Sequence, residues 1–190
     1  MTRNFIRTLL FFGLLIGVYF AIDYLPIGGD PEENSLEPKG TAVRAIDGDS
    51  FRMGEDELRL TGMDAPEYRQ TCHDASGGSW DCGKTARGAL AALLREDGLS
   101  CTLSARDNFG RGIATCSTDR TYDIAQTMVH RGMAVASGGN FAGGLVTPTY
   151  ADAEQKAKNA KRGIWQGEFT MPREWRDSNP HKLTGAADAP

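Results

Sequence analysis

The chain has no surplus of positive charge. Its 21 Lys and Arg face 25 Asp and Glu, a formal net charge of −4, which argues against a domain that binds nucleic acid passively through a basic surface. Histidine is scarce, with 3 residues in 190. No Cys-x-x-Cys pair occurs, and only His73 stands beside a cysteine, Cys72. These spacings exclude the usual zinc frameworks. No internal repeat is visible, which excludes a stacked-repeat architecture.

What is present is unevenly placed. Residues 41–176 hold 17 Lys and Arg against 18 Asp and Glu, so the acid surplus lies outside them, much of it between Asp23 and Glu37. At the N-terminus Arg3 and Arg7 precede Thr8–Ile22, fifteen residues without a charge. Tyr24, Leu25, Pro26 and Ile27 extend this run, despite Asp23, toward the ~18–20 residues a membrane helix needs. Flanking arginines put the N-terminus in the cytoplasm and the rest across the membrane. Residues 1–27 are therefore expected to be a single-pass transmembrane anchor holding the domain on the extracytoplasmic, periplasmic side. The alternative is a cleaved signal peptide, for which a small-x-small site is hard to place because Tyr19 lies two before Ala21. Residues 28–40, with two Pro and three Gly, read as an acidic flexible linker.

Four cysteines in an exported chain favour disulfides over free thiols. Residues 41–168 form the expected domain. Thr41–Ile46, Ser50–Met53 and Glu57–Thr61 are short and β-rich, with Asp47-Gly48 and Gly54–Asp56 as turns. In the third, Leu58 and Leu60 face one way and Arg59 and Thr61 the other. Lys84–Asp97 has helical spacing in Ala86, Ala89, Leu90, Leu93 and Leu94. Leu99–Ala105 and Gly112–Ser117 flank Asp107-Asn108-Phe109-Gly110 as a hairpin. Asp123–Arg131 is a short helix closed by Gly132, and Thr149–Asp152 resembles a capping box opening a helix to Arg162. Residues 169–190 are a C-terminal extension, with Gly185–Pro190 a frayed tail. The expected fold is α+β, mainly β with helices: a five-stranded OB-fold barrel with about three helices.

The hairpin also sets a disulfide expectation. With its tip at Asn108-Phe109, Cys101 and Cys116 face each other across the antiparallel pair, close enough to bond. Cys72 and Cys82 then pair by elimination among three possible connectivities.

Three segments carry chemistry: Asp47-Gly48-Asp49-Ser50 at a turn, Arg59 through Asp64-Ala65-Pro66-Glu67 leaving the third strand, and Asp107–Gly112 at the hairpin. They supply carboxylates for a hard cation, one further carboxylate and two arginines. Phosphodiester hydrolysis needs such a set: a metal to polarise phosphate, a base for water, and fixed cations for the charge on five-coordinate phosphorus. Taken singly, each segment has an ordinary reading as a turn, an exposed strand face or a hairpin tip.

Together, in this order and spacing, the segments resemble the staphylococcal-type thermonuclease family. Tyr150, Glu154, Ala157 and Lys161-Arg162-Gly163-Ile164-Trp165 resemble that family's last helix and closing Trp. The resemblance runs from about Thr41 to Trp165. It implies a calcium-dependent nuclease acting on DNA and perhaps RNA. Asp49 and Asp64 would ligate Ca2+ by their carboxylates and Ala65 by its backbone carbonyl, with Asp47 behind them. Glu67 would be the general base, and Arg59 and Arg111 would bind the scissile phosphate. Phe109 stands where the family often has Tyr, which keeps ring stacking on the nucleotide but loses a hydroxyl. Where relatives carry further tyrosines, this chain has Ser137-Gly138-Gly139-Asn140-Phe141, which implies a weaker grip on nucleotide. The segment from Thr71 to Gly83 and Met171–Arg176 resemble bacterial anchored members. No protein partner is implied, and a monomer is expected. The competing reading is a non-catalytic OB-fold module that captures nucleic acid at the cell envelope.

Overall fold

The computed structural model describes residues 12–14, 16–17, 35–38, 40–138 and 145–180. The chain divides into two units, Met1–Asn34 and Ser35–Pro190. In the first, residues 12–14 and 16–17 are helical, and the rest of the expected anchor lies outside the described residues. Among the described residues no helix is long and apolar enough to cross a membrane. The expected C-terminal tail also falls outside them, as do residues 139–144.

The second unit is built on a six-stranded mixed sheet. In chain order the strands are β1 (Ser35–Leu36), β2 (Val43–Ala45), β3 (Ser50–Met53), β4 (Asp56–Leu60), β8 (Ser100–Arg106) and β9 (Gly112–Ser117). They lie side by side as β1-β8-β9-β4-β3-β2, with β4 and β9 parallel and the other neighbours antiparallel. Together with the helices this curled sheet is an OB-like α+β fold. All five strands expected from the sequence are in it. β1 lies inside the stretch read as a linker: Ser35 and Leu36 pair with Thr102 and Cys101, covering the outer edge of β8.

The pleat places the core. Phe51, Met53, Leu58 and Leu60 point inward and are buried, while Arg52 stands exposed on the other face. Against them packs α1 (Cys82–Leu93), through Ala86, Leu90 and Leu93. Each fully buried Leu or Phe contributes about 1.5–3 kcal/mol through apolar burial. The helix starts two residues earlier than its spacing suggested, because the disulfide at Cys82 lies in its first turn, and it ends at Leu93 rather than Asp97. Next come α2 (Ile124–His130), capped by the Asp123 carboxylate on Gln126 N–H, and α3 (Pro148–Asn159). The capping box expected at Thr149 does not form. Pro148 occupies the first turn, which makes Thr147 the cap residue.

Two small ladders complete the scaffold. β5 (Met63–Asp64) pairs with β10 (Val135–Ala136), and β6 (Cys72–His73) pairs with β7 (Ser79–Trp80). A satellite core of Cys72, Cys82, Val135 and Ile164, joined by Trp80, Trp165 and Phe169, sits beneath the second. Past a 3-10 turn at Gly163–Gln166, the chain ends its described course in α4 (Pro172–Ser178). Both disulfides are present. Cys101 and Cys116 are directly opposed with Cα atoms 4.1 Å apart, and Cys72 bonds Cys82. The hairpin register holds only as far as Leu103. An irregularity at Ser104 shifts it by one, so Ala105 faces Ile113 and the tip is re-aimed.

Candidate active site

The site begins with a turn. The Asp47 carboxylate accepts the N–H groups of Asp49 (2.9 Å) and Ser50 (2.7 Å), closing the loop between β2 and β3 on itself. Gly48 lets this loop press inward, since a Cβ there would lie 2.6 Å from Ala65 Cβ and 2.8 Å from Ala86 Cβ. Asp49 is thereby driven to 2% exposure. Its buried carboxylate accepts three hydrogen bonds, out of about four that a carboxylate can take. Oδ1 accepts the Ser50 hydroxyl (2.9 Å) and Arg59 Nη1 (2.6 Å), and Oδ2 accepts Ala65 N–H (3.2 Å).

Sheet register supplies Arg59. Ser50 and Arg59 are Cα partners across β3 and β4, which sets the guanidinium beside Asp49. Its Nη2 reaches Asp64 Oδ1 at 2.8 Å, so one arginine bridges two carboxylates. Asp64 is fixed by the β5–β10 ladder, where it faces Val135. Three residues on, Glu67 sits on a turn closed by Gln70 N–H on its carbonyl (2.7 Å) and by its own N–H on Gln70 Oε1 (3.2 Å). Asp47, Asp49, Arg59, Asp64, Ala65 and Glu67 are therefore gathered, as the three segments required.

Arg111 and Phe109 line the same groove, of about 1030 Å³, with Asp47, Arg59 and Glu67. Arg111 is tied to Asp107 through Nε and Nη2, both at 2.8 Å, and its guanidinium lies 5.4 Å from the Phe109 ring centre. Phe109 itself is 86% exposed, an aromatic face presented to solvent at the groove.

One residue of the site escaped the sequence reading. Arg176, on α4, donates from Nη1 to Asp64 Oδ1 (2.9 Å) and Glu67 Oε1 (2.8 Å), and from Nη2 to Asp64 Oδ2 (2.9 Å). The signal available was Met171-Pro172, where a proline opens a helix followed by charged residues. It locates the helix but names no partner.

The charges show what the cluster can hold. Burial pushes the Asp47 carboxyl well up, helped by the charge of Asp49. Burial raises Glu67 too, against the Arg176 hydrogen bond, and the Asp49 charge adds to it. Burial also acts against Asp49, but Arg59, the Ala65 N–H and the Ser50 hydroxyl outweigh it and hold that carboxyl below its usual range. Four carboxyls are thus packed with the guanidiniums of Arg59 and Arg176. Among the described residues no three His, Cys, Asp or Glu side chains form a ready-made metal cage. The donors at hand are two carboxylates and a main-chain carbonyl. This oxygen-only set fits a hard divalent cation such as calcium, completed by water.

Fold and site together define an OB-like domain in which carboxylates and guanidiniums meet on one groove, a set suited to phosphoryl chemistry. Comparison with known proteins narrows this. The family model described as staphylococcal nuclease homologue matches residues 57–167, and the chain belongs to that family, whose domain is of nuclease type. It is 31% identical over 138 residues to succinoglycan biosynthesis protein ExoI of Rhizobium meliloti, covering 72% of this chain and 70% of that one. It is 28% identical over 137 residues to the probable endonuclease lcl3 of Emericella nidulans, covering 63% and 48%. It is 26% identical over 144 residues to the probable staphylococcal-like nuclease CAN3 of Oryza sativa subsp. japonica, covering 75% and 34%. The chain thus spans about half and about a third of the two relatives named for nuclease activity.

Proposed function

We propose that this chain is a calcium-dependent nuclease that hydrolyses phosphodiester bonds of DNA, and of RNA by the same phosphate chemistry. The observation that carries the reading is the packing of the buried Asp49 and Asp64 on Arg59, which with Glu67 and Arg111 lines one groove. A module that only captured nucleic acid would need the arginines. It would gain nothing from four carboxyls packed together, whose charge repels phosphate.

Asp49, Asp64 and the Ala65 carbonyl would hold the cation, with Asp47 fixing the loop behind them. When bound, a divalent cation supplies charge that polarises a phosphate oxygen. Glu67, its side chain 17% exposed, opens on the groove and takes the proton of an attacking water. Arg59 uses two of its five N–H donors on Asp49 and Asp64, which leaves others for a phosphate oxygen. Arg111 likewise keeps donors beyond those spent on Asp107, and a guanidinium fork can grip two oxygens of the phosphate at once. Phe109 offers a stacking face for a base.

The test is cleavage of single-stranded DNA and RNA by the full-length protein, with calcium and then with a chelator. Cleavage that stops on chelation and returns with calcium supports the proposal. Binding without cleavage under both conditions would establish the capture module instead. We also place the domain outside the cytoplasm on a membrane anchor. The two disulfides suit an oxidising compartment, and the charge pattern of residues 1–27 suits a single span. Reporter fusions after Gly40 decide the side, and a soluble mature protein starting near Asp23 would contradict the anchor.

A further inference from the structure

Arg176 lies beyond residues 57–167, the part of the chain that the family model matches, yet it donates three hydrogen bonds to two carboxylates of the site. The segment that delivers it is seated firmly. His73 N–H donates to Glu168 O at 2.8 Å, and Gln70 Nε2 donates to Thr170 O at 2.7 Å. Gln70 is fully buried, and its Oε1 receives the Glu67 N–H, so one side chain ties the Glu67 turn to the C-terminal segment. The 72–82 disulfide closes the loop against which this segment rests.

We infer that Arg176 is a positioning residue of the site, one that holds Glu67 and Asp64 in a fixed relation for the proposed hydrolysis. This rests on the reading given under Proposed function. Asp64, at the end of β5, and Glu67, three residues on, are neighbouring carboxyls, and without a bridge they repel each other and Glu67 is free to swing toward solvent. A guanidinium donating to both removes the repulsion and fixes both carboxylates. The contact has a second consequence. Arg176 and Arg59 together donate three N–H groups to Asp64, out of about four acceptor positions on a carboxylate. Arg176 therefore opposes a cation at Asp64 while it orders Glu67.

These two effects have opposite signs on removal, which a merely structural role would not give. In the full-length protein Arg176→Ala is expected to lower kcat about 10²-fold, the cost of a displaced reacting group. KM should stay close to the wild-type value, and calcium affinity measured calorimetrically should rise several-fold. Arg176→Lys restores the charge but not the fork, so calcium affinity should return to the wild-type value while kcat stays low. A wild-type kcat in Arg176→Ala overturns the inference. A raised kcat also overturns it and makes the contact an inhibitory latch. Weaker calcium binding, lower kcat and a lower Tm together would reduce Arg176 to a support of the fold. Failure of the nuclease reading shows in the wild-type protein, which would then neither bind calcium nor cleave. Failure of the inference shows only in the variants.

Discussion

The two ends of the groove are built differently. At one end Arg59 lines the groove, backed by Asp49, which is 2% exposed and accepts from Arg59, Ser50 and Ala65, and the sheet register itself sets the Arg59 contact. At the other, Arg111 stands on a hairpin tip beyond the irregularity at Ser104. There the Asp107 carboxylate accepts the N–H groups of Phe109 (2.9 Å) and Arg111 (3.0 Å) as well as the Arg111 side chain, and Arg106 Nη1 donates to Gly110 O (2.9 Å) across the same tip. The first end is over-determined, and the second is held by contacts within its own tip. On the proposed mechanism, the groups assigned to a cation and a base sit in the rigid half, and the arginine assigned to the phosphate sits in the half that can adjust.

The contrast can be broken in several places. Asp49→Ala should have the largest effect, because it leaves Arg59 with Asp64 alone and strips the buried Ala65 N–H and Ser50 hydroxyl of their acceptor. Removing one partner of such a pair costs about 3–5 kcal/mol, read as a shift in the urea midpoint at constant slope. A loss below about 1 kcal/mol would mean that the rigid half is not rigid. Arg111→Lys should leave the urea midpoint unchanged and lower cleavage about 10²-fold, since an ammonium cannot reproduce the fork. If lysine keeps most of the activity, the hairpin supplies only a general positive charge. Asp107→Ala should lower cleavage about tenfold, less than the loss of the fork itself, because the Arg106 bond to Gly110 O and the backbone turn still hold the tip. The smallest effect belongs to a clamp away from the groove. The Glu96 carboxylate accepts the hydroxyls of Thr118 (2.6 Å) and Thr121 (2.8 Å), and these bonds, Thr118 first, hold its pKa below the ordinary 4.5. A pKa lowered on folding adds stability that is complete above the ordinary value and is lost as pH falls through the folded one. Acid titration of stability should therefore be slightly shallower below pH 4.5 in Glu96→Gln than in the wild type. Identical curves would leave the clamp without effect.

Much of the rigid half was legible in the sequence, because local rules govern it. Alternation in Glu57–Thr61 put Arg59 opposite Leu58 and Leu60, and the hairpin between β8 and β9 opposed Cys101 to Cys116 before any coordinates were known. The irregularity at Ser104 was not legible, since neither Ser104 nor its neighbours carry a glycine or proline to mark it. Two-residue strands such as Met63–Asp64 and Val135–Ala136 are too short to show a period, so the ladder that fixes Asp64 was invisible. Thr147-Pro148 outranked the capping box because a proline at the first helical position dictates the start. Arg176 was the largest omission. It lies 109 residues from Glu67, and nothing in Pro172–Ser178 refers to the turn that it meets. Family likeness, rather than spacing, brought Asp49, Glu67 and Arg111 into one expected site.

The central claim is that Glu67 activates water beside a cation held by Asp49 and Asp64. Its most direct test is the turnover of Glu67→Gln with calcium present, beside calorimetric calcium binding to the same full-length variant. The account predicts cleavage slower by about 10²–10⁴-fold, the usual contribution of a general base, with calcium binding and the fold retained. Turnover equal to the wild type in a variant that binds calcium normally would contradict it and remove Glu67 from the mechanism.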